Sequence, residues 1–465
     1  MIPHVAGEPK AAGDPRRRTD PLADAAIAHM LGPWTGQPAW RDIGEINRQI
    51  GQWQTNGMLR GWQPDADVPL EVGAALEAYV RAGLALPAWA DPAKIERAEA
   101  LFVDYGMLSC TLLFCSSLPE CYVIPDLSAV LHIAGQLEQN TEYRIRSTAA
   151  MIFPVMMKGG LTSPDGAGVA QVLKVRLIHA TIRHLILRGE PAAAQGIVPP
   201  QAMAPAAGGM HEALFAHGWN TPRDGLPCNQ EELAYTLLTF GYVFLRSLRK
   251  LGLGLARDDE EAFLHAWNVM GHVLGIERAL MADTMEQAEA LFARMQERGR
   301  QSPYLPDPRP ALGRDLMLTM ENAIPLPVVK AFPVLMIRFL VGADTAREIG
   351  ADTAREIGAD LRAGLLAHLL FTLFMLVTRA IDTVARLVFP EFSISRLITR
   401  VVGYQFTVKV LMDQTRPLKL PPTLLNRVST MTLAWETDPK APRWMNALER
   451  RLTGRGKDAA EGVRA

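Results

Sequence analysis

The sequence predicts an all-α protein, and three observations lead there. Apolar residues recur at helical spacing over long segments, as in VLKVRLIHATIRHLILRGE. Runs of alternating β-branched residues are scarce. Helix start signals recur, such as Asp91–Pro92 ahead of AKIERAEALF, and Asn229 ahead of Glu231 and Glu232. With 465 residues, 49% of them hydrophobic, the chain can bury a sizeable core. Formal net charge is −1, from 48 Lys+Arg and 49 Asp+Glu, so no global field draws nucleic acid or anionic lipid. Cys110, Cys115, Cys121 and Cys228 have neither zinc-ligand spacing nor the density of a disulfide framework. H-E-x-x-H, G-x-S-x-G and a phosphate-binding glycine loop after a strand are absent, which weighs against metalloprotease, hydrolase and nucleotide chemistry.

Along the chain, residues 1–20 are rich in Pro, Gly and charge and are expected to be disordered. Residues 21–435 read as one helical domain, and 436–465 as a charged, frayed tail. Short amphipathic helices fill 21–105. A buried helix, a Pro-marked turn and a second helix ending near Gly135 follow. The next helix, at about 141–157, carries Arg144 and Thr148 and leads through the glycine-rich turn KGGLTSPDGAG into the helix of His179. Residues 189–210 form an Ala/Pro/Gly loop, either mobile or a lid. GADTAREI occurs at 342–349 and again at 350–357, a local expansion at a helix junction. The most hydrophobic run, 364–377, is shorter than the roughly 20 residues of a bilayer span. It reads as a fully buried core helix, with peripheral docking on a membrane surface as the alternative. After Arg16, Arg17 and Arg18, Asp20 and Asp24 interrupt what would be the apolar core of a signal peptide. A cytoplasmic setting is therefore expected.

Three constellations carry the chemistry. At about 100° per residue, Val172, Val175, Ile182 and Ile186 lie within about 60° of His179 and Ile178 about 100° to one side, placing an imidazole on an apolar face. Arg176 and Arg183 flank that stripe. One buried imidazole with cations at its margin suits an axial haem ligand with propionate partners; a core histidine bonded to a backbone carbonyl suits it too. In EYRIRSTAAMIFPVMM, Arg144 and Thr148 share a face with Ile145, Ile152 and Val155, and Pro154 removes one helix bond nearby. That pair is either a polar cluster beside a cofactor or half of an interhelical salt bridge. His265 and His272 are seven residues apart, too far along a helix to share one ion, and read as packing residues.

The segments VRLIHATIRHLI, GWNTPRDGLPCNQEELAYTLLTFGYVFLRSLRKLG and EEAFLHAWNVMGHVLGI, in that order, resemble the family joining latex-clearing rubber oxygenases to the MpaB oxygenases. The likeness runs over about 100–350, with weaker echoes to about 425, within the C-terminal helices expected over 351–435. It implies a globin-like helical core around one non-covalent haem b, with His179 as the iron ligand. It places Arg144 and Thr148 in a catalytic polar cluster near the haem, while Arg176 and Arg183, read from the helix of His179, are the expected cofactor-binding cations. It further implies an oxygenase acting with O₂ on an apolar, unsaturated small molecule. Where rubber oxygenases carry a lysine beside the threonine, this chain has Ser147. Where they place a carboxylate base one helix earlier, PDLSAVLHIAG offers Asp126. These departures weigh against cleavage of rubber itself more than against the haem. A helical protein that binds haem or lipid without turnover is the alternative.

Overall fold

A computed structural model describes residues 13–36, 38–136, 141–194, 196–201, 210–302, 306–323, 331–349, 369–373, 375–377, 380 and 443–453. The helices are α1 (Pro21–Leu31), α2 (Trp40–Gly51), α3 (Asn56–Leu59), α4 (Leu70–Gly83), α5 (Pro92–Leu112), α6 (Leu118–Cys121), α7 (Pro125–Gln136), α8 (Thr141–Met156) and α9 (Gly168–Leu187). After them come α10 (Met210–His217), α11 (Thr221–Asp224), α12 (Gln230–Phe240), α13 (Tyr242–Lys250), α14 (Arg257–Val273), α15 (Met285–Arg300), α16 (Arg309–Ala323), α17 (Phe332–Val341) and α18 (Ala343–Glu348). Among the described residues the strands are two short ones, β1 (Ile197–Val198) and β2 (Trp219–Asn220), paired antiparallel. The all-α expectation holds.

Local chemistry sets several boundaries. Asp91 caps α5, its carboxylate accepting from the Ala93 N–H at 2.9 Å, with Pro92 in the first turn. Asn229 caps α12 by accepting from the Glu232 N–H at 3.0 Å. Gly106 has φ 43° and ψ −112°, which break α5 inside its length; a π-helical turn, Leu113–Ser117, follows it directly. One large apolar cluster runs from α1 to α18, and a second joins the last turns of α9 to α7, α10 and Trp219. α8 lies along α9, α1 packs on both α4 and α9, and α14 lies along α5.

The structure corrects three expectations. Within the first twenty residues, Gly13–Asp20 is folded: Pro15–Arg17 forms a 3-10 turn, and the Arg16 and Arg18 carbonyls accept from the Leu226 and Gln230 N–H groups. Composition suggested disorder, but main-chain partners two hundred residues away hold the segment. In the tail, Arg443–Thr453 is helical and buries Met445. Of the 364–377 run, the described part is not a buried core helix: Leu369, Leu373 and Leu376 are 64%, 54% and 61% exposed, and no described element covers them. Residues 364–368 lie outside the described residues, as does the second GADTAREI copy; the first starts at the α17–α18 junction. Among the described residues no single helix is long and apolar enough to cross a membrane.

Candidate functional site: a histidine hairpin beside an apolar cavity

The site is built on the α8–α9 hairpin. Its turn is tight because glycines allow backbone to meet backbone. The Gly168 N–H donates to the Gly160 carbonyl at 2.9 Å, and a Cβ on Gly168 would stand 2.7 Å from that oxygen and 3.1 Å from the Val155 Cα. Two side chains clamp the turn from outside. Glu99 on α5 accepts from the Gly159 and Gly160 N–H groups at 2.8 and 3.1 Å. Asn56 on α3 donates to the Gly160 and Ser163 carbonyls and accepts from the Ala170 N–H. Eleven residues from the Val155–Gly168 contact in either direction lie Arg144 and His179, so the hairpin sets these two at one level, about 16 Å from the turn.

α9 is buried along almost all its length. The exception is a patch of Gln171, Lys174, Val175, Ile178 and His179, where Ile178 is 36% exposed. Val172, Ile182 and Ile186 close above and below it, so the apolar stripe around His179 opens over about two turns only. His179 is half-buried at this patch, and its Nδ1 is buried with no hydrogen-bond partner. Burial, with the charge of Arg183 adding to it, pushes the His179 pKa down to about 4, so the ring is neutral at physiological pH.

On α8, Thr148 lines a cavity of about 290 Å³, open solvent at its mouth included. The rest of the wall is nearly all apolar: Leu113, Phe114 and Leu118 from the π-turn and α6, Ala149, Ile152 and Phe153 from α8, and Phe240 from α12, with Cys110 beside them. Thr148 is the hydroxyl in that wall. His179 is not part of it, so the structure does not join the two in one described cavity. Arg144 lies on α8, but its side chain falls outside the described ones. Arg146, two residues on, is wholly buried.

Arg176 and Arg183 do not take the role expected of them. Arg176 makes a bidentate pair with Asp20, at 2.5 and 2.6 Å, and donates to the Val273 carbonyl. Arg183 pairs with Asp24 at 2.7 Å and donates to the Cys228 carbonyl. Both cations tie α9 to α1 and its N-cap, which leaves them engaged by the chain's own carboxylates rather than by propionates. Asp126, the one carboxylate of its stretch, is fully buried against Arg298 at 3.3 Å. His184 points away from His179 and packs its edge on Trp34. His265 accepts from the Asp91 N–H at 2.8 Å, and both His265 and His272 meet Trp89 edge-on, the packing roles expected of them. The four cysteines are buried and form no disulfide. Among the described residues no three His, Cys, Asp or Glu side chains gather to hold an ion.

Residues 127–392, more than half of the chain and the whole of the hairpin, match the family described as ER-bound oxygenase mpaB/B'/rubber oxygenase, catalytic domain. The chain belongs to this family. It is 24% identical over 285 residues to the rubber oxygenase of Streptomyces sp. (strain K30), an alignment that covers 60% of this chain and 58% of the relative's length. A solved structure of latex clearing protein LCP in the closed state shares the fold, with a TM-score of 0.57, 19% identity and 93% of each chain covered. Glu99 and Lys174 are the site-related residues that sequence reasoning passed over. Glu99 had a signal, since it shares the helical face of Ile95, Ala98 and Phe102.

Proposed function

We propose that this chain is a haem b-dependent oxygenase that acts with O₂ on an apolar, unsaturated, isoprenoid or lipid-like substrate. The observation that carries the reading is His179: a neutral imidazole, half-buried at an apolar patch, with a buried Nδ1 lacking any hydrogen-bond partner. Neutral imidazole is the form that binds iron, and a ring already hydrogen-bonded at both nitrogens would not be free to do so. The donor chemistry fits the group. The flanking arginines do not, because both are engaged elsewhere.

When bound, haem would supply the iron at which O₂ is activated. The chain supplies the rest. His179 would hold the iron through a ring nitrogen, and the buried ring stays unprotonated across the physiological range. Val175 and Ile178 present an apolar surface beside it. Leu113, Phe114, Ile152, Phe153 and Phe240 give the cavity at Thr148 an apolar wall, the lining that a hydrocarbon group would require. Within that wall the Thr148 hydroxyl is the group able to hold or pass a proton at its Oγ1. Absorption spectra of haem-reconstituted wild type and His179→Ala test the reading. A Soret band is expected in the wild type, lost or strongly shifted in the variant. Identical spectra, or no haem uptake by the wild type, would exclude His179 ligation.

A further inference from the structure

We propose that Lys174 is the carboxylate-binding cation of this site, engaging either a porphyrin propionate or the acid head of an acyl substrate. The proposal rests on the His179 reading only for the first of these sources. On α9 and just past its end stand three other cations besides the histidines, and the structure accounts for each of them. Arg176 is paired with Asp20 and Arg183 with Asp24, while Arg188, just beyond the helix, donates to the Pro199 and Phe215 carbonyls. Lys174 has no hydrogen bond and no ion pair, although it is half-buried. It lies on the one open patch of the helix, together with Val175, Ile178 and His179.

The geometry suits an amphiphile lying across that patch. Five residues separate Lys174 from His179, a rise of about 7.5 Å with a rotation of about 140°, so they stand at opposite edges of the patch. A flexible stem of four carbons lets the Lys174 ammonium meet the far edge of a ligand wide enough to span the patch from His179. Burial alone pushes the Lys174 pKa down, to about 8, and no carboxylate counters it. A half-buried ammonium without a counter-ion is a disfavoured state that an incoming carboxylate relieves.

The test uses the full chain, as wild type, Lys174→Met and Lys174→Arg, with folding checked by circular dichroism. Haem is compared with its dimethyl ester, and a long-chain fatty acid with its methyl ester, by equilibrium binding. If a propionate is the ligand, the wild type prefers haem to its diester by about tenfold or more, the worth of one hydrogen bond to a charged group. Lys174→Met loses that preference, Lys174→Arg keeps most of it, and the Soret position stays unchanged because His179 is intact. If the acid head of a substrate is the ligand, the fatty acid pair behaves in this way and the porphyrin pair does not. Folded Lys174→Met that retains wild-type preference in both pairs overturns the proposal. Failure of the wild type to bind haem at all would sink the His179 reading, while the fatty acid pair would still decide on Lys174.

Discussion

At the scale of single residues, most of what holds the site is buried charge with a fixed partner. Asp20 and Arg176 are both buried and bidentate, so removing one leaves the other without compensation. Asp20→Asn is expected to destabilise the fold by about 3–5 kcal/mol, and Arg176→Met with Asp20→Leu by much less. Urea unfolding of the three proteins measures both. Glu99 behaves differently, because burial outweighs the glycine N–H groups and raises its pKa to about 7. Between the ordinary carboxylate value and that one, the folded chain holds a proton that the unfolded chain has released. The stability this contributes is complete below about pH 4.5 and is lost as pH rises through 7. Relative to Glu99→Gln, the wild type is expected to lose stability across this window, by up to about 3 kcal/mol. Denaturation midpoints at pH 5 and pH 8 check it, and parallel pH curves for the two proteins would contradict it.

At the scale of elements, the α8–α9 hairpin depends on its turn. Alanine at Gly168 would place a Cβ 2.7 Å from the Gly160 carbonyl oxygen, so backbone must move and the helices separate. A loss of about 1–3 kcal/mol is expected. Gly44, inside α2, has nothing within 4 Å of a built Cβ, and alanine there is expected to leave stability unchanged or raise it by up to about 1 kcal/mol. Thermal unfolding of the two variants side by side separates close packing from general glycine effects. Elements of this kind were legible in the sequence where their cause is local. The caps at Asp91 and Asn229, the bounds of α8 and the packing roles of His265 and His272 all follow from residues within a few turns. Arg176 and Arg183 are engaged by Asp20 and Asp24, about 160 residues earlier, the first in the segment whose composition suggested disorder and the second in α1. Periodicity placed both arginines beside His179 correctly, but it carries no information about which distant carboxylate reaches them first.

At the scale of the whole molecule, the fold shared with latex clearing protein covers 93% of the chain, while the proposed chemistry rests on a few residues of α8 and α9. A prosthetic group seated between such helices is part of the core, so its binding free energy becomes folding free energy. A ligand at a hundredfold its dissociation constant adds about 2.7 kcal/mol, and the effect grows with the logarithm of its concentration. Each kcal/mol moves Tm by about 2–4 °C in chains of 150–250 residues, and by less in longer ones. For 465 residues, haem is thus expected to raise Tm by a few degrees, with a further small rise per tenfold in haem. His179→Ala should abolish this dependence without lowering the Tm of the haem-free protein by more than a core substitution of its size. Calorimetric scans over a series of haem concentrations decide the matter: a wild-type Tm indifferent to haem would mean that the hairpin closes on something else.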